Sequence, residues 1–186
     1  GLAVPRPAID LVADNDAPVR AVLRMPGRRD VTDDLAAYGR RVATAQAPLD
    51  GYLFKARSPS CALHDAARLD GRGRPNGRAP GIYAAVLTGA LPRLPCEAED
   101  RLADPARRDA FMARVFLYHR WQQQGGRAMS AAALAALHDD LGWLPGAAGG
   151  PVRMALGRIV AAAPADPAGA SERYLARALA ALARPL

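Results

Sequence analysis

The first half of the chain alternates short apolar runs with one amphipathic stretch. Residues 19–23 and 49–55 are short apolar runs bounded by turn-forming residues, a pattern typical of strands. Between them, apolar residues recur at helical spacing after Thr32, a residue type that caps helices, so a helix is predicted over 33–46. Strand, helix and strand in this order predict a βαβ unit with a parallel sheet. Residues 1–18 are proline-rich, show no period and are predicted as a surface segment.

The second half of the chain has helical spacing throughout. Its first predicted helix begins after Asp104, ends near residue 124 and carries a wide apolar face, as in a helix buried between two bodies. Three shorter helices are predicted after it, and the residues that would begin them are Ser130, Pro151 and Ser171. We therefore predict a small parallel-sheet α/β domain over residues 1–104 and an all-helical domain over residues 105–186.

Composition indicates a globular, basic protein. Apolar residues make up 51% of the chain, and no apolar run is long enough to span a membrane, so no membrane partner is expected. The net charge is +7, but the arginines are scattered and aromatic residues are only 5%, which leaves few rings to stack on bases. A nucleic-acid partner is therefore the minor alternative. Two cysteines are too few for a disulfide framework, which favours the cytoplasm.

The segment 54–61, Phe-Lys-Ala-Arg-Ser-Pro-Ser-Cys, places a thiol just after a predicted strand. In open α/β sheets, ligands bind beyond the carboxyl ends of strands. Lys55 and Arg57 bring positive charge close to Cys61, which favours the thiolate, the form that acts as a nucleophile or a metal ligand. A cysteine that only packs as a small apolar side chain stays open on the same residues.

Other candidates carry weaker signals. The glycine- and arginine-rich stretch 70–81 could hold an anion, but no predicted strand leads into it, so a surface turn is the simpler interpretation. His138 lies on an apolar helix face, which is typical of a core histidine with a hydrogen-bond partner. His64 follows Cys61 by three residues and is a possible site residue, and His119 is predicted on a helix surface.

The segment 54–61 resembles the Lys-x-Arg-Ser-Pro-Ser-Cys-Gly motif of the bacterial thiouracil desulfidase family. Residues 1–7 resemble the stretch after the family's Cys-Pro-Glu motif, and residues 27–32 resemble its Gly-x-Asp-Val-Thr stretch. Residues 94–102 resemble its Leu-Pro-Val-Glu-Glu-Glu-Gly-Arg-Leu motif. Residues 114–121 resemble the start of a helical domain of unknown function that is often fused behind it. The resemblance covers nearly the whole chain.

The resemblance implies a [4Fe–4S] cluster held by three cysteines, with an open iron that binds the sulfur of a small thiolated pyrimidine. Water would replace that sulfur, so that thiouracil gives uracil and sulfide. Cys61 matches the last of the three cysteine ligands. The other two belong to motifs that the family carries upstream of where this chain begins. We therefore expect an N-terminally truncated chain that binds no stable cluster and is inactive by itself.

The resemblance also implies roles for neighbours of Cys61. Ser58 and Ser60 are the candidate catalytic residues, which would line the pyrimidine pocket and hydrogen-bond the base or activate water. The candidates for binding the substrate or offsetting the charge of cluster and sulfide are Lys55, Arg57 and Glu97. Cys96 stands where the family has valine and is predicted to be structural.

Two alternatives to an iron–sulfur enzyme stay open. One is a non-catalytic member of the family whose helical part binds RNA or a protein partner. The basic balance favours this alternative, as does the incomplete histidine motif at His138, where a second histidine and a lysine are missing. The other is a simple thiol site at Cys61 that holds no metal.

Overall fold

The computed structural model describes residues 7–14, 17–44, 49–141 and 150–183. They fall into two compact units. The first unit comprises residues 1–48, 53–92 and 96–100, and the second comprises residues 49–52, 93–95 and 101–186. Among the described residues, the first unit holds two α-helices and all strand residues except Tyr52, and the second unit holds four α-helices. The predicted fold class, an α/β part followed by a helical part, is confirmed, while the boundary at residue 104 stays a prediction.

The main sheet of the first unit is mixed and has four strands, β1 (Ile9–Val12), β2 (Arg20–Leu23), β4 (Ala66–Leu69) and β5 (Pro75–Ala79). Their order across the sheet is β2-β1-β4-β5, and β3 (Tyr52–Phe54) lies outside this sheet. β1 runs antiparallel to β2 and parallel to β4, and β4 runs antiparallel to β5. Leu11 on β1 and Ala21 on β2 are fully buried in the core that the sheet shares with its helices.

Part of the sheet prediction is wrong. β3 pairs with β6 (Cys96–Ala98) in a separate two-stranded sheet, so the predicted βαβ unit is not formed. β1 lies inside the segment 1–18 that was predicted to have no regular structure. Four residues are too few to show a period, and β1 is stabilised by strands on both sides of it. The stretch 70–81 is also not a plain turn, because it contains β5.

The two helices of the first unit, α1 (Thr32–Ala43) and α2 (Ile82–Ala90), contribute to this core. Thr32 begins α1 but does not cap it, because its Oγ1 accepts a hydrogen bond from the Ala21 amide at 2.8 Å. Asp30 Oδ1 instead accepts from the Thr32 amide at 2.9 Å. The predicted end of this helix at residue 46 lies outside the described residues.

The helices of the second unit are α3 (Pro105–Gln123), α4 (Ala131–Asp140), α5 (Gly150–Ala162) and α6 (Pro167–Leu182). The predicted starts of α3 and α4 are confirmed. Asp104 Oδ1 accepts from the Ala106 amide at 3.0 Å, and Ser130 Oγ accepts from the Ala133 amide at 3.1 Å. None of the described helices is long and apolar enough to cross a membrane.

The predicted cap at Ser171 is wrong. Ser171 is fully buried inside α6, and Asp166 caps that helix by accepting from the Gly169 amide at 2.9 Å. The Ser171 hydroxyl accepts a hydrogen bond from Trp121 Nε1 at 2.7 Å and donates one to the Gly126 carbonyl at 2.8 Å. It therefore joins elements of the helical unit and does not begin one.

The apolar face of α3 is narrower than predicted. Phe111, Leu117, Tyr118 and Trp121 are buried, as expected for a core-facing stripe. Phe116, on the flank of that stripe, is 50% exposed.

Candidate active site

The segment that follows β3 forms a tight turn that carries Cys61. The Ala62 amide donates to the Ser58 carbonyl at 2.9 Å and closes the turn. The Cys61 amide approaches Ser58 Oγ at 3.3 Å. Phe54, the last residue of β3, is 1% exposed and contacts the ring of Tyr83 edge-on, with centroids 6.3 Å apart. The turn is therefore attached to the core just before it begins.

The turn rests on the beginning of α2. Tyr83 and Ala84 donate their amides to the Ser60 carbonyl at 3.0 and 3.3 Å. No side chain caps α2, so the Ser60 carbonyl takes amides that a helix start otherwise leaves without a partner. The Gly81 amide also donates to the Ala62 carbonyl at 2.8 Å. Backbone hydrogen bonds thus hold both sides of Cys61 against the helix.

Gly81 makes this close approach possible. A Cβ atom at position 81 would lie 2.3 Å from the Ser60 carbonyl carbon and 2.6 Å from the Cys61 amide nitrogen. Both are backbone atoms, so no side-chain rotation could relieve the overlap. Glycine is the residue that allows one backbone to lie this close to another. In the sequence, this residue is the glycine that ends the stretch 70–81, directly before α2.

Three predicted site residues form a line of polar side-chain atoms on this turn. Ser58 Oγ and Ser60 Oγ are 3.2 Å apart, and Ser60 Oγ is 3.1 Å from Cys61 Sγ. All three residues are half-buried. Each hydroxyl can donate one hydrogen bond and accept others, so the line can pass a proton between neighbours or donate to a bound group. We call it the Ser58–Cys61 line.

The two cations of the turn are paired with carboxylates. Lys55 Nζ donates to Glu99 Oε1 at 2.5 Å, and Arg57 Nη1 donates to Asp100 Oδ2 at 3.2 Å. The Lys55 ammonium group, and next the Ala56 amide, hold the pKa of Glu99 below its usual range. The positive charge predicted beside Cys61 is therefore partly neutralised in this structure.

A family model described as 2-thiouracil desulfurase matches residues 1–99. The chain belongs to this family. The predicted family is thereby confirmed, and the match includes the whole Ser58–Cys61 line. The helices α3 to α6 lie beyond it. Comparisons with curated proteins and with solved structures gave no match.

Glu97 lies on β6 of this desulfurase-family chain and not on the turn. It is 7% exposed, and its Oε1 accepts from the Ala98 amide at 3.1 Å. Because β3 pairs with β6, Glu97 lies in the interior of the first unit and not in a solvated turn. Its proposed role in substrate binding stays a prediction.

The stretch 70–81 is poorly suited to an anion. An open groove at the end of the β4–β5 hairpin is lined by Asp14, Asp70 and neighbouring arginines. Asp70 Oδ2 accepts from Arg74 Nε at 2.8 Å, so this arginine is already paired. The Arg74 amide is the main cause that lowers the pKa of Asp70, which keeps a negative charge at the groove.

Two of the three histidines, His119 and His138, have hydrogen-bond partners away from the turn. His138 Nδ1 lies 2.9 Å from the hydroxyl of the buried Tyr174, which confirms a core histidine with a hydrogen-bond partner. His119 Nδ1 lies 2.8 Å from Asp50 Oδ2, so it is more than a plain surface residue. His64 is exposed.

The described residues do not complete the ligand set of the implied cluster. Among them, no three histidine, cysteine or acidic side chains are grouped closely enough to hold a metal ion. The whole sequence has two cysteines, Cys61 and Cys96, which are half-buried and form no disulfide bond. A cluster held by three cysteine thiolates needs more than these residues supply.

Proposed function

We propose that this chain belongs to a desulfurase that removes sulfur from a small thiolated pyrimidine, converting thiouracil to uracil and sulfide. Membership of the 2-thiouracil desulfurase family supports a desulfurase-like function. The observation that best supports the finer proposal is the Ser58–Cys61 line, which places two hydroxyls beside one thiol on a turn within the matched segment.

In this proposal the hydroxyls of Ser58 and Ser60 are the catalytic groups. They line the pocket, donate hydrogen bonds to the edge of the pyrimidine and exchange a proton with the water that replaces the sulfur. Lys55 and Arg57 offset the negative charge that develops as sulfide leaves, although their pairing with carboxylates weakens this effect. Glu97 is the further candidate for contact with the substrate.

The cofactor that we propose for the family activity is a [4Fe–4S] cluster, with Cys61 as one thiolate ligand. When bound, such a cluster would supply an iron that acts as a Lewis acid toward sulfur. Because the sequence holds two cysteines, we propose that these 186 residues by themselves bind no stable cluster and are inactive. Thiolate ligands persist in reducing compartments, so the same proposal places the activity in the cytoplasm.

The test uses the protein expressed from its whole gene, treated anaerobically with iron and sulfide. We expect a broad brown absorbance that Cys61→Ala abolishes and the matched variant Cys96→Ala retains. Sulfide release from thiouracil should fall about a hundredfold in Ser60→Ala, since a positioned proton-transfer group typically contributes that much. A protein that gains no iron, or a Cys61→Ala variant that keeps its full iron content, would contradict the proposal.

The alternative function is a non-catalytic RNA- or partner-binding module. The net charge of +7 favours it. Binding that supports this alternative would weaken steeply as salt is added, because phosphate contacts release counterions. RNA binding of that kind, together with no release of sulfide from thiouracil, would replace the desulfurase proposal.

A further inference from the structure

Two carboxylates outside the Ser58–Cys61 line hold the backbone that leads into it. Glu99 Oε2 accepts from the Ala56 amide at 2.6 Å. Asp65 Oδ1 accepts from the Arg57 amide at 2.9 Å. Two consecutive amides are therefore bound by acidic side chains from later parts of the chain, one just after β6 and one just before β4.

These hydrogen bonds coincide with an unusual backbone conformation. Arg57 has a φ of +59°, in the left-handed region that residues other than glycine rarely adopt. A backbone in this region persists where its surroundings hold it there. Hydrogen bonds from an amide to a carboxylate are stronger than those between neutral groups. Glu99 and Asp65 thus hold the two amides that lead directly into Arg57, the residue where the chain turns toward Ser58.

Glu99 and Asp65 are themselves held in place by further hydrogen bonds. Glu99 is held by Lys55 Nζ as well as by the Ala56 amide. The Asp65 carbonyl accepts from Arg78 Nη1 on β5 at 3.1 Å, which attaches this residue to the sheet. The other end of the turn is held by the hydrogen bonds of the Ser60 carbonyl at the start of α2.

We propose that Glu99 and Asp65 are positioning residues of the site: by holding the Ala56 and Arg57 amides, they set the place of Ser58, Ser60 and Cys61. This inference deepens the proposed function and rests on it for its catalytic meaning. Neither carboxylate is required to touch the substrate. The positioning itself can be measured without any turnover.

The test is the rate at which iodoacetamide alkylates Cys61, measured against Cys96 in the same molecules by peptide mass spectrometry. Cys61 is half-buried, so a turn that opens more often reacts faster. We expect Asp65→Ala and Glu99→Ala to raise the Cys61-to-Cys96 rate ratio about tenfold, the effect of losing a charge-assisted hydrogen bond. Asp65→Asn and Glu99→Gln should raise it less, because their side-chain amide oxygens can still accept from the Arg57 and Ala56 amides.

The matched control is Asp34→Asn, which removes an exposed carboxylate that pairs with Arg29 at 2.8 Å. It should leave the ratio unchanged. An unchanged ratio in Asp65→Ala and Glu99→Ala would overturn the proposal. Asp65 lies outside β6, the strand that carries Cys96. If Asp65→Ala accelerated the alkylation of Cys61 and Cys96 equally, the substitution would have loosened the fold in general, and this result would also overturn the proposal.

Turnover of the whole-gene protein separates this inference from the proposed function. If the variants change the alkylation ratio and lower kcat for thiouracil about tenfold with little change in KM, both proposals are supported. If the ratio changes but no protein releases sulfide, the positioning role stands and the desulfurase proposal fails.

Discussion

The two units of this chain use polar side chains in opposite ways. In the helical unit, Ser171 is fully buried, and its hydroxyl accepts a hydrogen bond from Trp121 and donates one to the Gly126 carbonyl. In the α/β unit, the Ser60 carbonyl holds α2 while the hydroxyl of the same residue stays half-buried beside Cys61. A buried, fully hydrogen-bonded hydroxyl such as that of Ser171 stabilises a core. A half-buried hydroxyl such as that of Ser60 is available for chemistry.

The largest expected effect tests how the α/β unit holds its turn. Gly81→Ala places a Cβ atom 2.3 Å from the Ser60 backbone, so we expect a loss of about 3 kcal/mol in unfolding free energy. Urea unfolding followed by circular dichroism measures it.

The control for that substitution is in the same helix. Apart from its chain neighbours and the backbone of its own helix, no atom of the described residues would lie within 4 Å of a Cβ at position 89, so Gly89→Ala should stabilise the chain by about 0.5 kcal/mol. Equal effects of the two substitutions would show that the close approach at Gly81 does not constrain the fold.

A smaller effect is expected where the helical unit fastens its core. Ser171→Ala leaves the buried Trp121 Nε1 without its partner and removes one of the hydrogen bonds that the Gly126 carbonyl accepts, which should cost about 2 kcal/mol. Both tryptophans lie in residues 105–186, so their fluorescence follows this unit during unfolding. The exposed variant Ser130→Ala loses one helix cap and should cost about 1 kcal/mol. A Ser171→Ala variant no less stable than Ser130→Ala would contradict this account.

The smallest effect is a dependence of the helical unit on pH. Burial, and next the charge of Arg153, lower the pKa of His138, while Asp139 acts in the opposite direction. The third group facing it is Tyr174, whose pKa is raised by burial. As pH falls below the ordinary value of 6.5, the unfolded chain binds a proton first, so the folded state loses stability.

We expect stability to fall as pH drops through that value, and the loss to level off below the pKa of His138 in the folded state. Tryptophan fluorescence in urea at several pH values measures it. His138→Gln should remove this slope, and the exposed variant His64→Gln should keep it. A slope that persists in His138→Gln would assign the dependence to another group.

Local signals predicted the helical unit well. An acidic residue followed by proline marked the start of α3 at Asp104, and the same pair occurs at Asp166, where α6 begins. Ser171 was chosen instead because a serine near a helix start is also a capping signal. Its real partners lie 45 and 50 residues away in the sequence, where no local pattern could indicate them.

The sheet and the supports of the site were harder to predict for the same reason. β1 is four residues long and owes its place to pairing with β2 and β4. The motif around Cys61 was evident in the sequence, whereas Glu99 contacts the turn across a separation of 43 residues. The resemblance to the family motif suggested the chemistry of the Ser58–Cys61 line, and only the fold shows what holds it.

Because the Ser60 carbonyl accepts hydrogen bonds from the start of α2, amides of this helix can report on the opening of the turn. The Tyr83 and Ala84 amides are bonded to that carbonyl, so they exchange hydrogen with solvent when the turn moves away. Hydrogen exchange at these two amides therefore follows the opening of the site in the unmodified protein. A compound that settles on the turn and keeps it closed would slow exchange at the start of a helix that it never touches.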